Sequence, residues 1–134
     1  MTSLPLELLL LGWSVVLLLA HIMLQGQTMT RERGFAWGAS ARDEEGAPLG
    51  KVAARAERAL RNFNETYAAF VALALSLTIS GRTGGLGSLG AGLWFAARLC
   101  YMPLYLFGVP WLRSLAWLAS ALGLLLMVVK LLAG

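Results

Sequence analysis

The chain has 134 residues, of which 58% are hydrophobic and only 13% are charged, and its formal net charge is +4. A soluble globular domain carries about 25% charged residues, whereas the mean hydropathy here is +0.69. This composition excludes an ordinary soluble domain and predicts an all-α integral membrane protein. At this length, residues 1–134 are expected to form a single domain.

The basic residues are concentrated in one interval between two apolar runs. Most of the 11 Lys and Arg residues lie there: Arg31, Arg33, Arg42, Lys51, Arg55, Arg58 and Arg61. Acidic residues are interleaved with them, which argues against a nucleic-acid partner. The single cysteine, Cys100, excludes an internal disulfide and any metal site with several thiolates, and no set of metal-ligating residues is found.

The first predicted span covers residues 4–25, about the length needed to cross the hydrocarbon core of a bilayer. Glu7 near its start is expected at the interface, where a carboxylate at a helix N-terminus is tolerated. His21 near its end is expected to be a neutral, hydrogen-bonded histidine at the interface or between helices. Residues 26–50 are polar and contain Gly and Pro breakers, so we predict a loop, with Asp43-Glu44-Glu45 as a solvated acidic run.

The second half of the chain contains three further predicted spans. One helix from Lys51 to about Ile79 is polar at its start and apolar afterwards, giving a span over 52–80. Residues 80–92 are rich in glycine and contain the pattern GxGxxG at residues 85–90. Without a preceding strand, this segment predicts a tight turn whose small residues allow close helix packing. Spans over 90–107 and 111–132 complete a bundle of four transmembrane helices. The positive-inside rule places the 26–50 loop in the cytoplasm and the N-terminus outside.

Polar side chains from three segments are expected at one membrane level. On the second span, Arg58, Arg61, Asn62 and Glu65 have the spacing of one helical face. Arg98, Tyr101 and Tyr105 share a face of the third span, and Arg113 and Ser114 begin the fourth. Glu65 and Arg98 are expected to pair, because an unpaired charge is costly at that depth. The remaining arginines, amide and hydroxyls predict a site for a zwitterionic or anionic ligand with carboxylates.

These residues resemble the MAPEG family, the membrane-associated proteins in eicosanoid and glutathione metabolism. Arg58-Ala59-Leu60-Arg61-Asn62-Phe63-Asn64-Glu65-Thr66 is similar to its motif on the second span. The block from Arg98 through Tyr105 to Arg113-Ser114 resembles members of the prostaglandin E synthase type, with Tyr101 where that branch has a histidine. The Arg42-Asp43 pair is similar to the bacterial branch, and microsomal glutathione transferases are relatives in the same family.

The resemblance implies a homotrimer in the inner membrane of a bacterium, with glutathione as cosubstrate between neighbouring subunits. By position, the residues that would bind glutathione are Arg61, Asn62, Glu65, Arg98, Tyr101, Tyr105 and Arg31. Arg113 and Ser114 would lie near the thiol and stabilise its thiolate for attack on a lipophilic electrophile from the lipid. Arg58 is expected to brace the helix without contacting the ligand.

Two other functions are left open by the sequence. One is a non-catalytic member of the family that binds lipid or another anion in the same pocket. The other is a small multidrug exporter, which also has four short spans and a carboxylate in the first. The position of Glu7 near the end of its span, and the long polar segment 26–50, argue against the exporter.

Overall fold

The computed structural model describes residues 3–43, 46 and 48–134, and the secondary structure of this part is entirely helical. The helices are α1 (Leu6–Arg33), α2 (Phe35–Ala39), α3 (Lys51–Ile79), α4 (Leu86–Leu106) and α5 (Pro110–Ala133). The four long helices pack against one another, and the short α2 contacts α1. The all-α prediction is confirmed. Of the predicted acidic run, Glu44 and Glu45 lie outside the described residues.

Helix α1 extends further than its apolar sequence. It has 28 residues, a length of about 42 Å at about 1.5 Å per residue, against a hydrocarbon core of about 30 Å. The predicted loop over 26–50 is therefore wrong for residues 26–33, and it is also wrong for the short helix α2. Hydrogen bonding continues because the chain meets no strong helix breaker before Gly34, where a positive φ of 85° ends the helix.

Helix α3 runs from Lys51 to Ile79, as predicted, and α4 begins earlier than predicted. The turn between them is short, and glycines with positive φ at positions 81, 84 and 85 reverse the chain. Helix α4 begins at Leu86, so every residue of the GxGxxG sequence after Gly85 is helical and does not form a loop.

Small residues bring α4 and α5 into close contact. A Cβ atom added to Gly123 on α5 would lie 2.7 Å from the backbone nitrogen of Trp94 on α4, and one added to Gly90 would collide with the carbonyl oxygen of Gly123. The prediction that glycines in this region allow close helix packing is confirmed. Aromatic rings fill the centre of the bundle, where Phe70 stacks on Trp94 with their centroids 3.8 Å apart.

Two helices, α1 and α5, are long and apolar enough to cross a membrane by length and composition. Their outward faces carry large apolar side chains exposed in the single chain, among them Leu9, Trp13, Val16, Leu118, Leu122 and Leu125. Helix α3 does not pass the same test, and its first half contains the charged residues that the sequence places near the site. The apolar outer surface of α1 and α5 is that of a membrane protein.

Candidate functional site

Three helices border an open groove of about 330 Å³. We call it the polar groove, and its lining residues are Asn62, Tyr101, Arg113, Ser114, Trp117 and Leu118. Asn62 comes from α3 and Tyr101 from α4, while the others lie on the first turns of α5. The structure thus brings residues of the three predicted segments to one place.

Arg98 is the most deeply buried cation beside this groove, with no solvent exposure. Its Nη1 donates to Oδ1 of Asn62 at 2.8 Å, and its guanidinium lies 4.4 Å from the ring centroid of Tyr101. Its Nε and Nη2 are buried without a hydrogen-bond partner among the described residues. A guanidinium with two unsatisfied nitrogens is costly to bury, so this position favours an additional anionic or carbonyl acceptor.

The expected ion pair between Glu65 and Arg98 is wrong. Among the described residues the only salt bridge within 4.0 Å joins Arg61 and Glu57, and Glu65 is exposed. The reason is rotation about the helix axis, because residues three apart on a helix differ in direction by about 60°. Asn62 points towards α4 and takes the guanidinium, whereas Glu65 points to the outside.

The four polar residues of α3 therefore divide into two pairs with i, i+4 spacing. Arg58 and Asn62 point inward to α4, and Arg61 and Glu65 point outward, where the Arg61 side chain is 68% exposed. The Nε of Arg58 donates to the hydroxyl of Tyr105 on α4 at 2.9 Å, so Arg58 braces α3 against α4, and the expectation that it does not contact the ligand stays a prediction. The i, i+4 spacing indicated this division in the sequence, because residues four apart lie on nearly the same side of a helix.

Tyr105 contacts two arginines of this region, Arg58 and Arg113. Its ring centroid lies 5.5 Å from that of Tyr101, which confirms that these two tyrosines share a face of α4. The guanidinium of Arg113 lies 4.9 Å from the Tyr105 ring centroid, within the range of a cation–π contact. Ser114, next along α5, donates its hydroxyl to the carbonyl oxygen of Pro110 at 3.1 Å, and its oxygen retains lone pairs that can accept.

Arg31 is not brought into the polar groove of the same chain. It lines a second groove of about 740 Å³ between the end of α1 and α2. Other lining residues of this second groove are Met23, Met29, Phe35 and Arg42. Because the resemblance implies a site between subunits, the contribution of Arg31 to the ligand site stays a prediction. Among the described residues, no group of three His, Cys, Asp or Glu side chains could hold a metal ion.

A polar stripe on α1 was not recognised in the sequence. Glu7, Ser14 and His21 follow at intervals of seven residues and are all buried. Glu7, expected at the interface, accepts the backbone N–H of Gly84 at 2.7 Å. Ser14 shares a hydrogen bond of 2.9 Å with the hydroxyl of Tyr67. The heptad spacing, which returns to nearly the same helical face, was the signal that could have identified the stripe.

His21 completes this stripe between helices. Its ring centroid lies 4.9 Å from that of Phe63, which confirms the expected position between helices. Its Nε2 has no hydrogen-bond partner among the described residues, so the expected hydrogen bond is not formed by that nitrogen. The stripe thus supplies buried contacts from α1 to α3 and to the turn between α3 and α4, and it lies apart from the lining of the polar groove.

Comparison with known proteins identifies the family. A family model described as the MAPEG family matches residues 10–133. A search of curated proteins and a search of solved structures found no match. The match extends over all four long helices and includes every residue of the polar groove. The chain therefore belongs to the MAPEG family and is a membrane protein of that family.

Proposed function

We propose that the chain is a glutathione-dependent membrane transferase or peroxidase that acts on lipophilic electrophiles. The observation that carries the proposal is the position of Arg98, which is buried against Asn62 and Tyr101 of the polar groove and whose Nε and Nη2 have no hydrogen-bond partner among the described residues. Arginine binds carboxylates in bidentate fashion, and glutathione offers two carboxylates, an amino group and a thiol. A ligand of this kind would satisfy nitrogen atoms that the described residues leave unpaired.

The remaining groups match the chemistry of the same ligand. In this proposal Arg61, Arg98 and Arg31 bind carboxylates, and Glu65 binds the amino group. The side chains of Asn62, Tyr101 and Tyr105 supply neutral hydrogen-bond partners. Arg113 and Ser114 stabilise the thiolate that remains after the thiol loses its proton to solvent. The sulfur then forms a bond to the electrophilic carbon, and the leaving group departs with the bonding electrons.

The exposed face of α3 supports a homotrimer with sites between subunits. Arg61 and Glu65 lie on the outside of the single chain, and the same face continues with the exposed Ala68 and Ala72. Charged residues facing lipid cost roughly 2.5 to 3.5 kcal/mol each at the centre of a helix that crosses the bilayer. Small residues let helices approach closely. Both features favour contact between copies along α3, with Arg31 reaching the site of a neighbouring subunit.

The proposed topology has all four long helices crossing the inner membrane of a bacterium. The N-terminus lies outside, and the segment between α1 and α3 lies in the cytoplasm, because basic residues are concentrated in it and at the helix ends that flank it: Arg31, Arg33, Arg42, Lys51, Arg55 and Arg58. The polar groove then opens near the cytoplasmic side, where glutathione is supplied. Leu118 lines the groove and is 57% exposed, so an apolar substrate could enter from the lipid at this edge.

Calorimetry of glutathione binding to the purified protein tests the proposal. Wild-type protein is expected to bind glutathione at millimolar or lower concentration, and Arg61→Ala and Glu65→Gln to weaken binding by roughly tenfold. Lys51→Gln, which removes an exposed charge at the start of the same helix, is the matched control and should bind normally. Absence of binding by the wild type would reject glutathione as the ligand.

Turnover of a lipophilic electrophile separates an enzyme from the non-catalytic alternative. An active enzyme forms the glutathione conjugate, or reduces a hydroperoxide with formation of oxidised glutathione, and loses this activity in Arg113→Leu. Binding without turnover would instead support a non-catalytic member of the family. The exporter alternative predicts efflux that is abolished by Glu7→Gln, whereas the buried contact of Glu7 with Gly84 indicates a structural role.

A further inference from the structure

Buried polar atoms that lack a hydrogen-bond partner among the described residues are concentrated around one ring of the core. Apart from Glu7, the residues that carry them are His21, Thr66, Trp94 and Arg98. The ring centroids of His21 and Trp94 lie 4.9 and 5.7 Å from that of Phe63. The guanidinium carbon of Arg98 lies 5.4 Å from the Phe63 centroid, and Thr66 lies about one turn further along α3 than Phe63. We call His21, Thr66, Trp94 and Arg98 the Phe63 cluster.

The hydrogen-bonding groups of the Phe63 cluster are complementary. The indole of Trp94 and the guanidinium of Arg98 can only donate, whereas the hydroxyl of Thr66 and a neutral imidazole at His21 can also accept. The unpaired atoms are Nε1 of Trp94, Nε and Nη2 of Arg98, Oγ1 of Thr66 and Nε2 of His21, and they form no hydrogen bond with one another. Donors and acceptors that remain apart in the core are each costly to bury, so a small group that pairs with both is favoured between them.

Water is the group that fits this position. Trp94 and Arg98 have no solvent exposure and His21 is 1% exposed, so a large ligand could not reach these atoms without separating the helices. Proteins hold on the order of one buried water per 27 residues, and each makes about three hydrogen bonds to polar groups that are otherwise unpaired. The hydrocarbon around a membrane-spanning bundle offers no hydrogen-bonding group in its place.

We propose that buried water links the acceptors of the Phe63 cluster to its donors, and that His21 and Thr66 thereby position the guanidinium of Arg98. Among the described residues, Asn62 is the one side chain that accepts a hydrogen bond from this guanidinium, and it does so from Nη1. Nε and Nη2 together carry three N–H groups, of which a bidentate carboxylate would take two and a water the third. A water held by His21 and Thr66 therefore fixes the plane of the guanidinium and leaves donors for the ligand.

Thermal unfolding in detergent tests the hydration of the cluster by the sign of the change. Thr66→Val replaces the hydroxyl by a methyl group of similar size. If Oγ1 were unpaired, this substitution would leave the unfolding midpoint unchanged or raise it, because an unpaired buried polar group would be removed. With water bound, the substitution removes an acceptor from that water, and the midpoint is expected to fall by about 3 °C or more.

Calorimetry of glutathione binding tests the positioning role, which rests on the function proposed above. Thr66→Val and His21→Phe should each weaken binding by about threefold or more, and Thr66→Ser, which keeps the hydroxyl, should bind like the wild type. Ser14→Ala is the matched control, since it removes a buried hydroxyl whose partner is Tyr67, and it should leave the affinity unchanged. Weakening by Ser14→Ala equal to that by Thr66→Val would overturn the positioning role.

Water-edited solid-state NMR of the full-length, isotope-labelled protein in lipid bilayers detects the bound water directly. Magnetisation is expected to pass from water to the indole N–H of Trp94, whose signal is identified by its loss in Trp94→Phe. No transfer to that N–H, or an unfolding midpoint of Thr66→Val at or above the wild-type value, would overturn the inference. If the midpoint falls and transfer occurs but the wild type binds no glutathione, the glutathione proposal and the positioning role are both rejected. The hydration site is then retained, so the two failures are distinguishable.

Discussion

The two ends of the helical bundle differ in their charged residues and in how closely their helices pack. At one end, the glycine-rich turn between α3 and α4 meets the start of α1, and the carboxylate of Glu7 accepts a backbone N–H at Gly84. At the other end, the start of α3 meets the end of α4 and the start of α5, and cations surround open grooves. We refer to these as the glycine end and the arginine end.

The difference shows how a small membrane protein can combine stability with an open site. At the glycine end, and along the nearby contact between Gly90 and Gly123, backbones approach so closely that a Cβ atom would collide. At the arginine end, two buried nitrogen atoms of Arg98 have no hydrogen-bond partner among the described residues. Close packing stabilises the bundle at the glycine end, whereas the buried guanidinium at the arginine end leaves donors with which a ligand can pair.

The largest expected effect is the loss of close packing between α4 and α5. Gly123→Leu should destabilise the protein by about 3 kcal/mol or prevent folding, because its side chain would meet the backbone of Trp94 and the core has no room for it. The measurement is unfolding in detergent. Gly92→Ala is the control on the same helix pair, since a Cβ there meets nothing within 4 Å. Equal destabilisation by both substitutions would contradict the conclusion that Gly123 is required for close packing of α4 against α5.

The next effect concerns the partner of Arg98. Asn62→Ala removes the hydrogen bond that the described residues provide to that guanidinium and should destabilise the protein by about 2 kcal/mol. Asn62→Asp places a carboxylate against the same cation, so it should retain stability while weakening the binding of an anionic ligand. Unfolding measurements and calorimetry of glutathione binding, made on both variants, check these expectations for stability and for ligand affinity. If Asn62→Asp bound glutathione as tightly as the wild type, Arg98 would not act as an anion-binding group.

A smaller effect is expected at the glycine end. Glu7→Ala removes the acceptor of the Gly84 N–H and should destabilise the protein by about 1.5 kcal/mol, whereas Glu7→Gln keeps an acceptor oxygen and should cost less. Neither change should alter glutathione binding, because Glu7 lies at the opposite end from the polar groove. Thermal unfolding and calorimetry on the two variants give the comparison, and a change in ligand affinity would show that the ends are coupled.

The smallest effect is expected from removing one hydroxyl at the arginine end. Tyr105→Phe loses the hydrogen bond from the exposed Arg58 and should change stability by only about 0.5 kcal/mol, since water replaces the lost acceptor. The ring under Arg113 is retained. Tyr105→Ala removes that ring as well, so it should reduce catalytic turnover more than Tyr105→Phe does. Identical turnover in both variants would show that the ring does not position Arg113.

Local patterns in the sequence predicted the helices well wherever the breakers were strong. The uninterrupted stretch from Lys51 to Ile79 predicted α3 with its bounds, and the glycines after it predicted a turn with close helix packing. The prediction failed where weak breakers were given too much weight. Gly26 did not end α1, because a single glycine costs a helix only about 1 kcal/mol, and the helix continues to Arg33.

Part of the lining of the polar groove was predictable, but the pairings of its residues were not. Sequence spacing brought Asn62, Tyr101, Arg113 and Ser114 to one level, and the structure places all four in the polar groove. It could not distinguish Asn62 from Glu65 as the partner of Arg98, because both lie within one broad helical face. The choice depends on the rotation of α3 against α4, which is determined by the packing of Phe63 and Phe70 in the core.

The sequence by itself determined that this is an all-helical membrane protein of the MAPEG family with polar residues carried on α3, α4 and α5. Apolar length, helical periodicity and the residues around Asn62 are local properties, so they can be read along the chain. Only the tertiary structure decided that Arg58 contacts Tyr105 and that Glu7 is buried. It also decided that two nitrogen atoms of Arg98 find no hydrogen-bond partner among the described residues. These outcomes depend on how helices rotate and approach one another, which is set by packing between residues distant in the sequence.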